Sequence, residues 1–429
     1  MGKRVLICLA LLLGMMGLVG CEFGSVEEMY ALPKSSEAYV NLQAKINQEK
    51  GNAEYIAPLS GENRQTIQLV DVDGDGADEA LAFFRDAAKN PKINIYDSEN
   101  GEHRLALSIS GEGSSIGRID YADLTGDGQK ELLVSWQISS GLSVLGVYSL
   151  AGWSGDVLLS TDSAEFVTGD INRDGCDELL NLRAANSTTY LVDQYTFPLG
   201  QEPQATSAAL SAGISALQRL RMVTLAGDAP ALLAESTLTT GDLVSDLFVC
   251  RDGSLINLTM NRTTQISETR RSYSLVYAQD IDGDGSTEIP HPQQLYSRGD
   301  EVFWSIAWFR YDASGRASTI MTTYHCVTDN WYLVLPSGWD VGLTVRRDDS
   351  VSGERAVILS RLRSDGSLED YVAVYAITGE NRYERARLDN RFLLQEEGTT
   401  VYAAKILDGK TDENTIRSRF HVIYTDWSS

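Results

Sequence analysis

The sequence predicts a mainly β protein built from repeated units of roughly fifty residues, and three observations predict it. An acidic nine-residue stretch recurs, beginning at Asp71, Asp123, Asp170 and Asp280. Short apolar runs of strand length flank these stretches and recur between them. The spacings are 52, 47 and 110 residues, so the last gap is about twice the others and one unit is expected to have lost its acidic stretch. The remnant of that copy is placed at Arg221–Glu235, where Gly227 and Asp228 sit between apolar runs.

The repeated stretch has the chemistry of a cation-binding turn. Oxygen-bearing side chains occupy positions 1, 3, 5 and 9: Asp71, Asp73, Asp75 and Glu79; Asp123, Thr125, Asp127 and Glu131; Asp170, Asn172, Asp174 and Glu178; Asp280, Asp282, Asp284 and Glu288. Glycine holds position 6 each time and permits a sharp turn. Carboxylates this close repel one another, and a hard divalent ion, Ca²⁺, removes the repulsion. An EF-hand would need flanking helices and a bidentate acid at position 12. Position 12 is Ala82, Val134, Asn181 and His291, and the flanks read as strands, so each loop is expected to be the turn of a β-hairpin.

Taken in order, the chain opens with Lys3 and Arg4 and the apolar run from Val5 to Gly20, a signal segment too short to span a membrane comfortably. It ends in Leu18, Val19, Gly20 and Cys21, which resembles the bacterial lipobox. That resemblance implies that residues 1–20 are a lipoprotein signal peptide and that Cys21 carries the lipid (palmitate-type) anchor. Residues 21–60 are expected to be a polar tether followed by a short amphipathic helix, Ser36 to Lys50, with Tyr39, Leu42 and Ile46 on one face and Gly51 as its stop. Residues 61–330 hold the repeats. Strands are expected at Thr66–Val70, Ala80–Phe84, Ile93–Tyr96, Ala106–Ile109, Glu131–Trp136, Val144–Tyr148, Val157–Ser160, Tyr190–Tyr195, Leu243–Val249 and Val302–Phe309. Four short strands per unit of this length is the signature of a β-propeller blade. Residues 331–429 lack an intact loop. Strands at Trp331–Leu335, Gly342–Arg346, Ala356–Leu362, Tyr371–Ile377 and Val401–Ile406, with a helix at Glu413–Ile423, predict a small C-terminal α+β domain. The alternative is two degenerate blades completing a seven-bladed ring.

An acidic loop of this pattern, repeated after apolar strands, resembles the FG-GAP/VCBS repeats of integrin-α-like β-propellers. The resemblance rests on the loops and covers roughly residues 60–330; the Phe-Gly and Gly-Ala-Pro signatures are absent and Thr125 departs from the acidic pattern. It implies that each loop joins the first two strands of a blade and binds Ca²⁺. Leader, tether, helix and repeats together resemble clostridial cell-surface lipoproteins.

Composition sets bounds on partners. The formal charge is −24, which argues against nucleic acid or an anionic lipid surface as a ligand. Of five cysteines, Cys8 lies in the leader and Cys21 at its end; Cys176, Cys250 and Cys326 have no metal or redox spacing, and a Cys250–Cys326 disulfide is open. His103, His291, His325 and His421 are scattered. Gly113–Gly117 matches a nucleophile elbow in letters, but a strand is expected after it where the elbow needs a helix. Gly409, Lys410 and Thr411 end like a P-loop without its first glycine. Arg298, Gly299 and Asp300 suit a tight turn. Trp304 and Trp308 are expected to pack in the core rather than to stack on a sugar.

These readings converge on a lipid-anchored protein at the extracytoplasmic face of a bacterial membrane. Its calcium-stabilised propeller is expected to serve as a protein- or glycan-binding or scaffold module and not as an enzyme. The rival is a propeller-based enzyme acting on cell-surface or extracellular polysaccharide, which calls for perturbed acids or histidines at a mouth of the ring. A third reading, an envelope assembly factor, calls for a large exposed apolar patch.

Overall fold

The computed structural model describes residues 37–99, 102–297 and 299–424. The leader, Cys21, the tether and Arg298 lie outside the described residues.

Antiparallel hairpins follow one another along the chain and collect into sheets in sequence order. The first sheet holds Glu54–Tyr55, Ile67–Val70, Glu79–Arg85, Pro91–Glu99 and Glu102–Ser110, the first two sharing one edge of Glu79–Arg85. The second holds Ser115–Ala122, Glu131–Ser139, Leu142–Tyr148 and Val157–Ser163, and the third Glu165–Gly169, Glu178–Ala184, Tyr190–Thr196 and Gln204–Ala209. The fourth holds Ile214–Leu225, Ala229–Leu238, Leu243–Arg251 and Ser254–Asn257. The fifth runs Glu288–Gln294, Trp304–Tyr311, Ala317–Cys326, Trp331–Val334 and then Phe420–Val422. The sixth comprises Leu343–Asp348, Glu354–Leu362, Leu368–Ile377, Thr400–Ile406 and Phe392–Glu397.

The strand that follows each of the first three acidic loops is buried and largely apolar on both faces, as in Ala80–Phe84, Leu132–Val134 and Leu179–Leu182 (Asn181 excepted), because it lies inside a sheet covered on both sides. Alternate residues then face opposite neighbours. Leu81 and Phe83 join Ile116, Leu132 and Val134 of the second sheet. Leu133 and Leu145 join Phe166 and Leu179 of the third, and Leu180 and Val192 join Leu232 and Phe248 of the fourth. Leu233 and Leu247 meet Ile289 and Tyr311 of the fifth, and Tyr324 and Trp331 meet Val357 and Val374 of the sixth. The sheets are therefore stacked in chain order through apolar cores.

The two end faces of this series are covered differently. Glu37–Lys50 is the expected helix, and it lays Leu42 and Ile46 on Ala80, Ala82, Phe84 and Tyr96, the first sheet's face away from the second. Small alanines there leave room for a helix, and burying the two aliphatic side chains contributes about 1.5–3 kcal/mol each. At the far end, Ala386 covers Ile377, Val401 and Ala403 of the sixth sheet.

The C-terminal region differs from expectation. Trp331–Val334 is not the first strand of a separate domain but the fourth strand of the fifth sheet, paired with Ala317–Cys326. The helix expected at Glu413–Ile423 stops at Arg417 after little more than one turn, capped by the Asp412 carboxylate, which accepts from the Thr415 amide at 3.0 Å. Phe420 and Val422 then alternate with exposed His421, a strand pattern, and pair with Trp331–Leu333. The region thus supplies one further five-stranded sheet and two strands, Trp331–Val334 and Phe420–Val422, to its neighbour, rather than an α+β domain or two degenerate blades. Arg221–Glu235 is the first hairpin of the fourth sheet, with Gly227 and Asp228 at positive φ, where the sequence placed the lost loop.

Candidate metal centres

The first three acidic loops each connect the first two strands of their unit: Ile67–Val70 to Glu79–Arg85, Ser115–Ala122 to Glu131–Ser139, and Glu165–Gly169 to Glu178–Ala184. The fourth joins Gln279 to Glu288, which bridge each other, so the first strand of that unit has shrunk to a single pair.

All four fold on the same internal frame. The position 1 carboxylate receives the amides of positions 4 and 6: Gly74 and Gly76 on Asp71 at 2.8 and 3.1 Å, Gly126 and Gly128 on Asp123 at 2.7 and 2.9 Å. Arg173 and Gly175 do so on Asp170 at 2.6 and 3.0 Å, and Gly283 and Gly285 on Asp280, both at 2.8 Å. The position 5 carboxylates Asp75, Asp127, Asp174 and Asp284 accept from the position 7 amides at 2.7–2.9 Å. The position 9 glutamates reach back to the position 2 amide: Glu79 to Val72 at 3.0 Å, Glu131 to Leu124 at 2.9 Å, Glu178 to Ile171 at 3.1 Å and Glu288 to Ile281 at 3.2 Å. Positions 4 and 6 are both left-handed, which only position 6 had signalled; Arg173 adopts φ 68° without glycine's freedom.

The glutamates are the buried members. Glu79, Glu131, Glu178 and Glu288 are at most 2% exposed, while the aspartates are half-buried or exposed. Burial, helped by neighbouring aspartates, pushes Glu79, Glu131 and Glu178 each up to about 7. Two buried oxygens in the first two loops have no hydrogen-bond partner: Glu79 Oε1 and Thr125 Oγ1. Orphaned acceptors facing carboxylates are what a cation site leaves when only protein atoms are counted. Asp71, Asp73 and Glu79 bring ligand oxygens within 4.8 Å of one another, as do Asp280, Asp282 and Glu288. The residue set thus suits a hard divalent cation, without selecting Ca²⁺ over another.

The third and fourth loops differ at their centres. Asn172 turns its amide nitrogen to Asp174 Oδ2 and Glu178 Oε1, at 2.9 and 2.5 Å. In the fourth loop a guanidinium fills the centre: Arg310 places Nη2 at 2.7 Å from Asp282, Nη1 at 2.8 Å from Asp284 and Nε at 2.7 Å from Glu288. Arg310 escaped the sequence reading. Its signal is a single charged residue within the apolar run Trp304–Tyr311, and strand register sets it opposite Glu288.

The loops also touch in series. The position 8 amide of each later loop donates to the unit before it: Lys130 to the Val72 carbonyl at 2.8 Å, Asp177 to Asp123 at 3.2 Å and Thr287 to Thr224 at 2.8 Å. A Cβ on Gly74 would lie 2.8 Å from the Gly128 carbonyl oxygen, and one on Gly126 would lie 2.4 Å from Cys176 Sγ. A cavity of about 260 Å³ lined by Thr125, Asp174, Cys176 and Glu178 separates the second and third loops.

The other singled-out residues have structural surroundings. Gly113–Gly117 leads into a strand, not a helix. Trp308 is fully buried and donates Nε1–H to Thr323 Oγ1 at 2.8 Å. His325, Tyr332 and His421 stack across three strands of the fifth sheet, with centroids 5.0 and 4.8 Å apart. Burial pushes His325 down to about 3 and His291 to about 4. Cys176, Cys250 and Cys326 are free thiols, so Cys250 and Cys326 are not bridged. Among the described residues no helix is long and apolar enough to cross a membrane.

No family model matches the chain, and no curated protein matches it. Among solved structures it is similar to a "putative 6-phosphogluconolactonase" from Bacteroides fragilis, at 12% identity over 73% of this chain and 85% of that one, with a TM-score of 0.27. A second protein of that description, from Bacteroides uniformis, matches at 12% identity and TM-score 0.27 over 70% and 82% of the two chains. Likeness at that level transfers neither a detailed fold nor an activity.

Proposed function

We propose that this chain is a calcium-stabilised, propeller-type array of blade-like sheets, anchored through a lipid on Cys21 at the extracytoplasmic face of a bacterial membrane. It serves there as a binding or scaffold module for a protein or glycan. The observation that carries the metal part is the orphaned pair Glu79 Oε1 and Thr125 Oγ1 inside loops whose carboxylates are each already oriented by a backbone amide. Ca²⁺ bound in these loops fixes the corners of successive units, and the series of loop-to-loop amide bonds passes that rigidity from one sheet to the next. The position 8 amides of the second and third loops tie each to the unit before it. The raised glutamates belong to the loops, the raised Asp246 is buried among donors from Ser211, Asn257 and Ser267, and the depressed His325 and His291 pack against Tyr332 and Phe309 within the fifth sheet, which favours a binding module over the polysaccharide-cleaving alternative.

Thermal unfolding in Ca²⁺ and in EDTA tests the metal role. Extracellular calcium modules bind at about 10⁻⁴–10⁻³ M. With 10 mM Ca²⁺ and a Kd of about 1 mM, each occupied loop adds about 1.4 kcal/mol to the native state. A melting temperature that EDTA leaves unchanged removes the calcium role.

A further inference from the structure

We infer that the fourth acidic loop is closed by Arg310 and takes no divalent cation, so that one corner of the molecule is stapled by a protein side chain while the other three depend on metal. The inference rests on the calcium reading for the first three loops; in the third, the neutral Asn172 amide that faces Asp174 and Glu178 can turn its oxygen to a cation, which a guanidinium cannot do. The first and fourth loops are alike in their carboxylates: Asp71, Asp73 and Glu79 cluster as Asp280, Asp282 and Glu288 do. They share the same backbone frame, down to the Val72 and Ile281 amides donating to the position 9 glutamate. They part at one oxygen. Glu79 Oε1 is buried without a partner, whereas Glu288 Oε1 accepts from Arg310 Nε at 2.7 Å.

Arg310 does more than pair with one acid. Its three nitrogens engage positions 3, 5 and 9 at 2.7, 2.8 and 2.7 Å, the positions whose oxygens would surround a metal. A guanidinium is planar, permanently charged and presents its donors in a fixed fork, which makes it a competent substitute for an ion among converging carboxylates. A divalent cation entering this loop would have to break three charge-assisted hydrogen bonds and leave a positive group a few ångströms away. The strand register explains why only this loop is so equipped. Arg310 is the cross-strand partner of Glu288. One step beyond the last paired residues of the other three sheets, the corresponding positions are Asp97, Ser149 and Thr196. Among the described residues no Lys or Arg pairs with the acids of the first loop at positions 1, 3, 5 and 9. The loop's Thr287 amide still donates to Thr224 at 2.8 Å, so the fifth sheet stays tied to the fourth whether or not metal is present.

Counting Ca²⁺ bound to the full chain by calorimetric titration and native mass spectrometry tests this. The expected result is three ions for the natural sequence and four for Arg310→Gln, with the lowered melting temperature of that variant regained on adding Ca²⁺. Four ions on the natural sequence, or three on Arg310→Gln, overturns the inference. Glu79→Gln and Glu288→Gln provide a control independent of how Arg310→Gln folds: the first lowers the count by one and the second leaves it at three, and a loss of one ion in Glu288→Gln also overturns the inference. No ion on the natural sequence but one on Arg310→Gln would remove the calcium reading of the first three loops while upholding the role of Arg310; none on either removes both.

Discussion

Glu79, Glu131 and Glu178 hold the chemistry of the acidic loops, because each is buried beside half-buried or exposed aspartates yet bound to a backbone amide. Their carboxyls are pushed up to about 7, above the 4.5 of an unfolded chain. A raised folded value means that the native state holds the proton more tightly. Without metal, the stabilisation these groups give is full below about pH 4.5 and is lost as the pH rises through 7. In the proposed calcium role the ion takes the deprotonated form and replaces the proton. The rise in melting temperature caused by Ca²⁺ is therefore expected to be small at pH 5 and to grow to a plateau above pH 7. Reading the difference between Ca²⁺ and EDTA at each pH removes the opposite contribution of His325, which destabilises as the pH falls below its ordinary value. A calcium effect that is flat from pH 5 to 8 would contradict the assignment.

At the scale of the element, each loop is a hairpin turn whose two left-handed positions let it fold tightly enough to press against the next. Gly126 shows the constraint: it has φ 72°, and a Cβ there would sit 2.4 Å from Cys176 Sγ of the third loop. Gly126→Ala is expected to cost about 1–2 kcal/mol for the left-handed backbone, plus whatever displacement of Cys176 requires. Urea unfolding of the variant measures the two costs together, and Cys176→Ala in the same background recovers the second. A Gly126→Ala chain as stable as the natural one would show that the loops do not pack in series. The motif was legible as a hairpin because its acids alternate and its flanks are apolar. Arg173 at position 4 was not, since a left-handed non-glycine residue leaves no mark in composition.

For the whole molecule, the sheets form a series whose outer faces carry separate covers, Leu42 and Ile46 at one end and Ala386 at the other. Terminal units of a repeat array need such covers because they lack one neighbour. The described helix starts at Glu37, sixteen residues after the proposed lipid site at Cys21. An anchor there would hold the body near a membrane without any apolar span within it. Cys21→Ser is expected to move the protein from the membrane fraction to the soluble one and to abolish incorporation of labelled palmitate. Unchanged membrane association and labelling would refute the anchor.

The sequence by itself determined the β class, the hairpin nature of the loops, the turn at Gly227 and Asp228 between apolar runs and the face that the first helix buries. All of these follow from local periodicity and turn chemistry. It misjudged the C-terminal region because Phe420–Val422 joins a strand some ninety residues earlier, and helical propensity in a short segment yields to an open sheet edge. It also missed Arg310, whose meaning depends on cross-strand register with Glu288. Tertiary structure alone decided which carboxylates meet one another and which meet a guanidinium. The reason is physical: a side chain's charge is written in the sequence, but the dielectric and the partner that set its energy come from distant strands.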